Sequence, residues 1–170
     1  MKKIIILIIS VLCFLSALPA YAEFEQPPVS DAARYLTEEQ NAELTERLDK
    51  IRKKYEFDVA FVSEKELSSF DVQNAADDIY DYNGYGYGEN YDGILLYIAD
   101  YERKYHFSTC GSGETIFNEN GLAYLEKKVV PHLEKGDCYA AIKSYADYAE
   151  ELLEIAAEGK PFNKRQHSAG

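Results

Sequence analysis

The sequence predicts one α/β domain of three layers, an α/β/α sandwich with a small mixed β-sheet flanked by helices. Three observations carry this expectation. Helix-like and strand-like apolar patterns follow one another as helix, strand, helix, strand, strand, helix, helix. A strand–helix–strand unit implies a right-handed crossover and parallel pairing, whereas two strands joined by a short turn pair antiparallel. The chain is 170 residues long and 46% hydrophobic, which fits a single domain with one packed core.

The first segment has the three-part design of a secretory signal peptide. Lys2 and Lys3 form a positive end, Ile4 to Leu18 is almost wholly apolar, and Ala20-Tyr21-Ala22 places small residues around a cleavage point before Glu23. The apolar run is short for a membrane span of roughly 20 residues. Residues 1–22 are therefore expected to be removed, giving a secreted, periplasmic or otherwise extracytoplasmic protein. No later apolar run is long enough for a transmembrane segment. Residues 23–30 contain two prolines, show no periodicity and read as a linker.

The domain is expected over residues 31–157. Thr37-Glu38-Glu39-Gln40 is a capping box, and Leu44, Leu48, Ile51 and Tyr55 then recur at helical spacing. Phe57 to Ser63 is rich in β-formers and reads as a strand buried on both faces. Val72, Ala75, Ala76 and Ile79 predict a helix over 72–83, ended by Gly84-Tyr85-Gly86-Tyr87-Gly88. Gly93 to Ala99 is nearly all apolar, as a central strand requires. Asp100-Tyr101-Glu102 forms a turn, and Arg103 to Thr109 alternates as its antiparallel partner. A third helix is expected over 120–130, stopped near Pro131. A fourth runs over 137–157, with Ile142, Tyr145, Ala149, Leu152 and Leu153 on its apolar stripe. Residues 158–170 are polar and read as a disordered tail.

Charge limits the partners. There are 30 acidic residues against 18 Lys and Arg, a net charge of −12. Loss of the signal segment, with its two lysines and no acids, takes this to −14. Such a chain is poorly suited to nucleic acid or anionic lipid, and suits cations or cationic partners. Once Cys13 leaves with the signal, Cys110 and Cys138 remain. In an oxidising compartment they form either a disulfide, closing a loop of about 28 residues, or two separate buried thiols.

Several motifs follow one another in order. They are Val29-Ser30-Asp31 with Leu36-Thr37 before a long helix, the apolar strand at Val59 to Val62, and Gly84 to Gly88 after an amphipathic helix. Then come Asp92-Gly93-Ile94-Leu95-Leu96, Arg103-Lys104 at the hairpin, Gly111-Ser112-Gly113, and Gly136-Asp137 before the last helix. As an ordered set over about Val29 to Leu153 they resemble the TPM domain family. The resemblance implies an exported or membrane-tethered α/β domain. It also implies relation to a plant thylakoid protein linked to acid phosphatase activity and photosystem II repair, and to members that bind calcium or another divalent ion near acidic loops. The sequence departs from that pattern at Tyr91, where the family often has Asp or Asn. It departs again downstream of the Gly-x-Gly loop, where Asn118 or Asn120 replaces an acid, and in having no C-terminal membrane helix.

Three chemistries follow. A hard cation, calcium or magnesium, wants carboxylate and carbonyl oxygens. In open α/β sheets ligands gather at the carboxyl ends of the strands. Asp31, Asp92, Asn118 and Glu119 are the candidate ligands. Tyr85, Tyr87 and Tyr91 sit in a Gly-rich loop where exposed rings offer a binding surface for a secreted or envelope protein partner. The loop follows a helix and lacks a lysine, so it is not a phosphate cradle. His106 and Cys110 form the only local thiol–imidazole pairing. Two functions are expected from these features. The first is a non-catalytic binding or assembly module of the cell envelope, using the Tyr/Gly loop with a divalent cation. The alternative is a metal-dependent phosphoester hydrolase of acid-phosphatase type, the cation polarising the phosphoryl oxygen.

Overall fold

The computed structural model describes Phe24 and residues 26–159. The expected signal segment and the tail from residue 160 onward lie outside the described residues. Nine elements follow in order: β1 (Val29–Asp31), α1 (Glu38–Tyr55), β2 (Asp58–Glu64), α2 (Val72–Tyr82), β3 (Gly93–Ala99), β4 (Lys104–Cys110), α3 (Gly113–Ile116), α4 (Glu119–Glu134) and α5 (Cys138–Ala157). The sheet order is β1-β2-β3-β4, with the first three strands parallel and β4 antiparallel to β3. This is the expected mixed sheet, and helices cover both of its faces.

One face is large. Leu44, Leu48 and Ile51 of α1, Leu125 and Val129 of α4, and Ile142, Tyr145, Ala149 and Leu152 of α5 close over Val59, Phe61, Ile94, Leu96, Ile98 and Phe107. Tyr145 donates its hydroxyl to the Ile94 carbonyl at 3.0 Å, so this large ring enters the core without an unpaired polar atom. The other face is covered by α2 alone. Ala75, Ala76 and Tyr80 pack on Ala60, Val62, Leu95, Tyr97 and Ala99. The small alanines bring that helix close to the sheet.

Local chemistry explains the boundaries. Thr37 caps α1 by accepting from the Gln40 amide, and the Gln40 side chain accepts from the Thr37 amide, so the capping box forms as the sequence predicts. The helix ends at Glu56, held in the left-handed region at φ 50. Asp71 and Asp137 cap α2 and α5.

Three elements differ from expectation. The one-turn helix α3 (Gly113–Ile116) is not predicted by the sequence pattern. The helix expected over 120–130, α4, does not stop at Pro131 but runs through it to Glu134. Pro131 lies within the last turn, so it removes only one amide donor near an end that frays in any case. The segment read as a linker is partly structural. Its residues Val29 and Ser30 belong to β1, and the Pro28 carbonyl accepts from the Phe61 amide at 2.8 Å. Phe24 stacks on Tyr87, with ring centroids 5.3 Å apart, and lies 4.2 Å from the Arg52 guanidinium carbon. The lead-in is thus a strap across the amino end of the sheet.

Candidate functional site

The parallel strands give the sheet two unlike edges. At the amino edge lie Asp58, Gly93 and, because β4 runs back, Cys110. At the carboxyl edge lie Asp31, Glu64 and Asp100, with the Asp100 amide donating to the Glu64 carbonyl at 2.9 Å. The four candidate metal ligands divide between these edges. Asp31 and Asp92 are separated by roughly six strand residues, about 20 Å. The expected convergence therefore does not occur.

Three of the four have instead a local structural role. The Asp31 carboxylate accepts from the amides of Tyr35 and Leu36, at 3.2 and 2.8 Å, and from the Ser63 hydroxyl at 2.6 Å, which fixes the β1–α1 loop. The Asp92 carboxylate accepts from the Ser112 amide, pinning the loop after β4. That loop needs Gly111, whose φ is +59 and where a Cβ would lie 2.3 Å from an Asp92 carboxylate oxygen. The Asn118 side chain caps α4 by accepting from Asn120 and Gly121, and Glu119 is exposed in the first turn. Among the described residues no three His, Cys, Asp or Glu side chains are grouped to hold a metal ion. These donor sets do not fit a calcium site, which takes six to eight oxygens.

The Tyr/Gly loop also differs from its expectation. Tyr85 is 4% exposed and stacks on Tyr80 in the smaller core. Burial pushes its phenol up to about 12, with the Asp58 carboxylate adding to the shift. Tyr87 is half-buried against Phe24, and Tyr91 alone of the three stands out, at 58% exposed. The loop folds inward because the Asp58 carboxylate accepts from the Gly86 amide at 2.7 Å. Gly86, at φ +101, lies so close to Tyr91 that a Cβ there would sit 2.6 Å from the Tyr91 carbonyl oxygen.

Cys110 and Cys138 are both free thiols. The disulfide considered from the sequence does not form, because Cys110 ends β4 at the amino edge while Cys138 opens α5 beside the carboxyl edge. A disulfide needs Cα atoms within about 7 Å. His106 and Cys110 share a sheet face but are four strand residues apart, about 13 Å, and do not meet.

The carboxyl edge holds what the sequence reading missed. A cleft of about 330 Å³ opens between the β3–β4 turn, the end of α4, the start of α5 and Tyr35 of the β1–α1 loop. Its floor is apolar, made by Ile98, Tyr105, Val130 and Leu133, and its polar groups include Asp100, Arg103, Glu134 and Cys138. Tyr35 donates its hydroxyl to Asp100 at 2.8 Å. Partial burial and this carboxylate push the Tyr35 phenol well above its ordinary range. Burial, with the charges of Asp100 and Asp31 behind it, pushes the Cys138 thiol up to about 11. The groups that look reactive are therefore held protonated at neutral pH. Asp100 was open to recognition, since it directly follows the most apolar strand and so sits where α/β sheets place their ligands. Tyr35 and Glu134 carry no such signal, because only the packing of the helix ends brings them there.

A mixed four-stranded sheet with helices on both faces and a cleft at the carboxyl edge of its parallel strands defines an open-sheet α/β/α sandwich. The sequence profile of the TPM domain matches residues 29–152, and the chain belongs to that family. Three solved structures share the fold. One is the N-terminal domain of a P. gingivalis protein, 21% identical, with a TM-score of 0.65 over 82% of this chain and 88% of that one. Another is the N-terminal domain of cg2496 from Corynebacterium glutamicum, 16% identical, with a TM-score of 0.61 over 79% and 84%. The third is BA42 from the psychrophilic bacterium Bizionia argentinensis, 15% identical, with a TM-score of 0.60 over 81% and 92%. No curated protein matches the chain.

Proposed function

We propose that this TPM domain is an exported, non-catalytic binding module of the cell envelope that takes its ligand in the carboxyl-edge cleft. The cleft itself carries the proposal. It pairs an apolar floor with a few converging polar groups, the usual composition of a small-ligand site, and 330 Å³ falls at the small end of such sites. Binding is favoured over catalysis because Tyr35 and Cys138 both hold their protons at neutral pH, Tyr35 even with the Asp100 carboxylate hydrogen-bonded to it. Export rests on the amino-terminal charge, apolar run and Ala20-Tyr21-Ala22. Among the described residues no helix is long and apolar enough to cross a membrane.

The test uses Cys138 as a handle inside the cleft. Thermal melts of the mature chain against a panel of small polar metabolites are compared for free protein and for protein alkylated at Cys138 with a bulky maleimide. A compound that raises the melting temperature of the free form only is the expected result. A panel in which every compound treats the two forms alike rejects the cleft. Hydrolysis of a phosphomonoester that stops with chelator would replace the binding reading with the phosphoester hydrolase.

A further inference from the structure

We propose that the cleft ligand is a free α-amino acid with an apolar side chain, its ammonium held by Asp100 and Glu134, its carboxylate by Arg103, and its side chain on the Ile98–Leu133 floor. This rests on the cleft reading above and names the ligand class. The argument starts from the charges left over around the cavity. Arg103 is within ion-pair distance of no described carboxylate, and Glu134 makes neither an ion pair nor a hydrogen bond among the described residues. Asp100 takes one hydrogen bond from Tyr35 through a single oxygen, Oδ1, leaving Oδ2 free to accept. Arg103, Asp100 and Glu134 all line the same cavity, together with Cys138 and Tyr105.

Two signs of charge, Arg103 and Lys104 against Asp100 and Glu134, do not suit a plain cation, which would leave both basic groups unmatched, or a plain anion, which would face two carboxylates. A zwitterion matches both. The backbone adds to the same pattern. The carboxyl end of α4 borders the cleft at Glu134 and Gly136, and the amino end of α5 borders it at Cys138. Helix ends carry partial negative and partial positive charge respectively, so the two poles reinforce the side chains. The size also decides, since a volume of about 330 Å³ admits an amino acid but not a folded peptide segment.

The experiment titrates L-leucine against the mature chain. It reads binding by calorimetry and, in parallel, the rate of N-ethylmaleimide attachment at Cys138 at mildly alkaline pH, with the half-buried Cys110 at the opposite edge as the reference for effects outside the cleft. Leucine is expected to slow Cys138 alkylation at least ~5-fold and leave Cys110 unchanged. Leucinamide, lacking the carboxylate, and N-acetylleucine, lacking the ammonium, are expected to bind at least ~10-fold more weakly, about 1.4 kcal/mol each. Arg103→Gln should weaken leucine by a similar factor while leaving leucinamide unchanged. Glu134→Gln should weaken both. No protection by leucine at ~10 mM overturns the assignment, as does leucinamide binding as tightly as leucine. If leucine fails while another compound still distinguishes free from Cys138-alkylated protein, the amino-acid assignment falls and the cleft stands. If none does, both fall.

Discussion

Replacing Arg52 with Met should be the most damaging single change to the fold at neutral pH, and its damage should shrink in acid. Arg52 is 1% exposed, as is Asp58. The Arg52 Nε donates to Asp58 Oδ1 at 2.9 Å, and its Nη1 donates to the Gln26 carbonyl at 3.0 Å. The second Asp58 oxygen accepts from Gly86. One buried pair thus ties α1, β2, the Tyr/Gly loop and the strap. Removing one partner of such a pair typically costs about 3–5 kcal/mol, because the other charge is left buried and unmatched. For a domain of this size that is a fall of roughly 10–15 °C in Tm. The pH dependence follows from Asp58. Burial holds its carboxyl above the ordinary range even though Arg52 and Gly86 pull it down. A carboxyl raised in the folded state favours folding at low pH and loses that contribution as pH rises through the folded value. Without Arg52 the Asp58 carboxyl rises further, so the variant should recover stability on acidification more than the parent does. Urea unfolding followed by circular dichroism at neutral pH and at about pH 5 measures this. Adding Asp58→Asn should restore part of the loss, since no unmatched charge then remains. A neutral-pH loss below about 1 kcal/mol, a loss equal at both pH values, or a double variant no better than Arg52→Met would refute the reasoning.

Three further outcomes are expected. Tyr85→Ala should cost about 3 kcal/mol through the cavity it leaves in the smaller core, whereas Tyr91→Ala should stay within about 0.5 kcal/mol, both read by urea melts. The alkylation rate of Cys138 should keep rising past the ordinary thiol range to about pH 11, as followed by intact mass. Burial raises the Glu150 carboxyl, but hydrogen bonds from Lys54 and Arg47 outweigh it and hold the group below its ordinary value. The clamp between α1 and α5 should therefore contribute fully above the ordinary carboxylate range and be lost as pH falls through the depressed value. Glu150→Gln should flatten that part of the acid unfolding curve.

The elements most legible in the sequence were those whose pattern repeats several times. The run Gly93 to Ala99 became β3 over the same residues, and the Leu44–Leu48–Ile51 stripe became the buried face of α1. β1 is only three residues long, too short to show a period, and is recognisable only by its pairing with Phe61 to Ser63. That omission hid the placement of Asp31. Without β1 as a strand parallel to β3, nothing showed that Asp31 ends one strand while Asp92 precedes another, at opposite edges. The tyrosines misled for a related reason. Glycine next to tyrosine reads as an exposed loop, but a single long-range bond from Gly86 to Asp58 turns Tyr85 inward.

The position of the cleft follows from the one antiparallel strand. After β1 and β2 the chain leaves the carboxyl edge through loops that lead into helices, but after β3 it reverses at once through the Asp100–Arg103 turn, closed by the Arg103 amide on the Asp100 carbonyl at 3.1 Å. A four-residue turn does not rise as far as the helix ends beside it. The space above the turn is bounded by α4 arriving and α5 leaving, and it remains open as the cleft. The same turn makes the site rigid. Asp100 is anchored through its own amide to Glu64, and Tyr101 donates to the Lys65 carbonyl, so the Asp100 carboxylate is presented by fixed backbone. At the amino edge the strap, the Tyr/Gly loop and the Gly111 turn are all bonded down onto Arg52, Asp58 and Asp92. One edge is therefore closed by interactions that stabilise the fold. The other leaves Arg103 and Glu134 without an ion pair among the described residues, on a fixed frame beside the cleft.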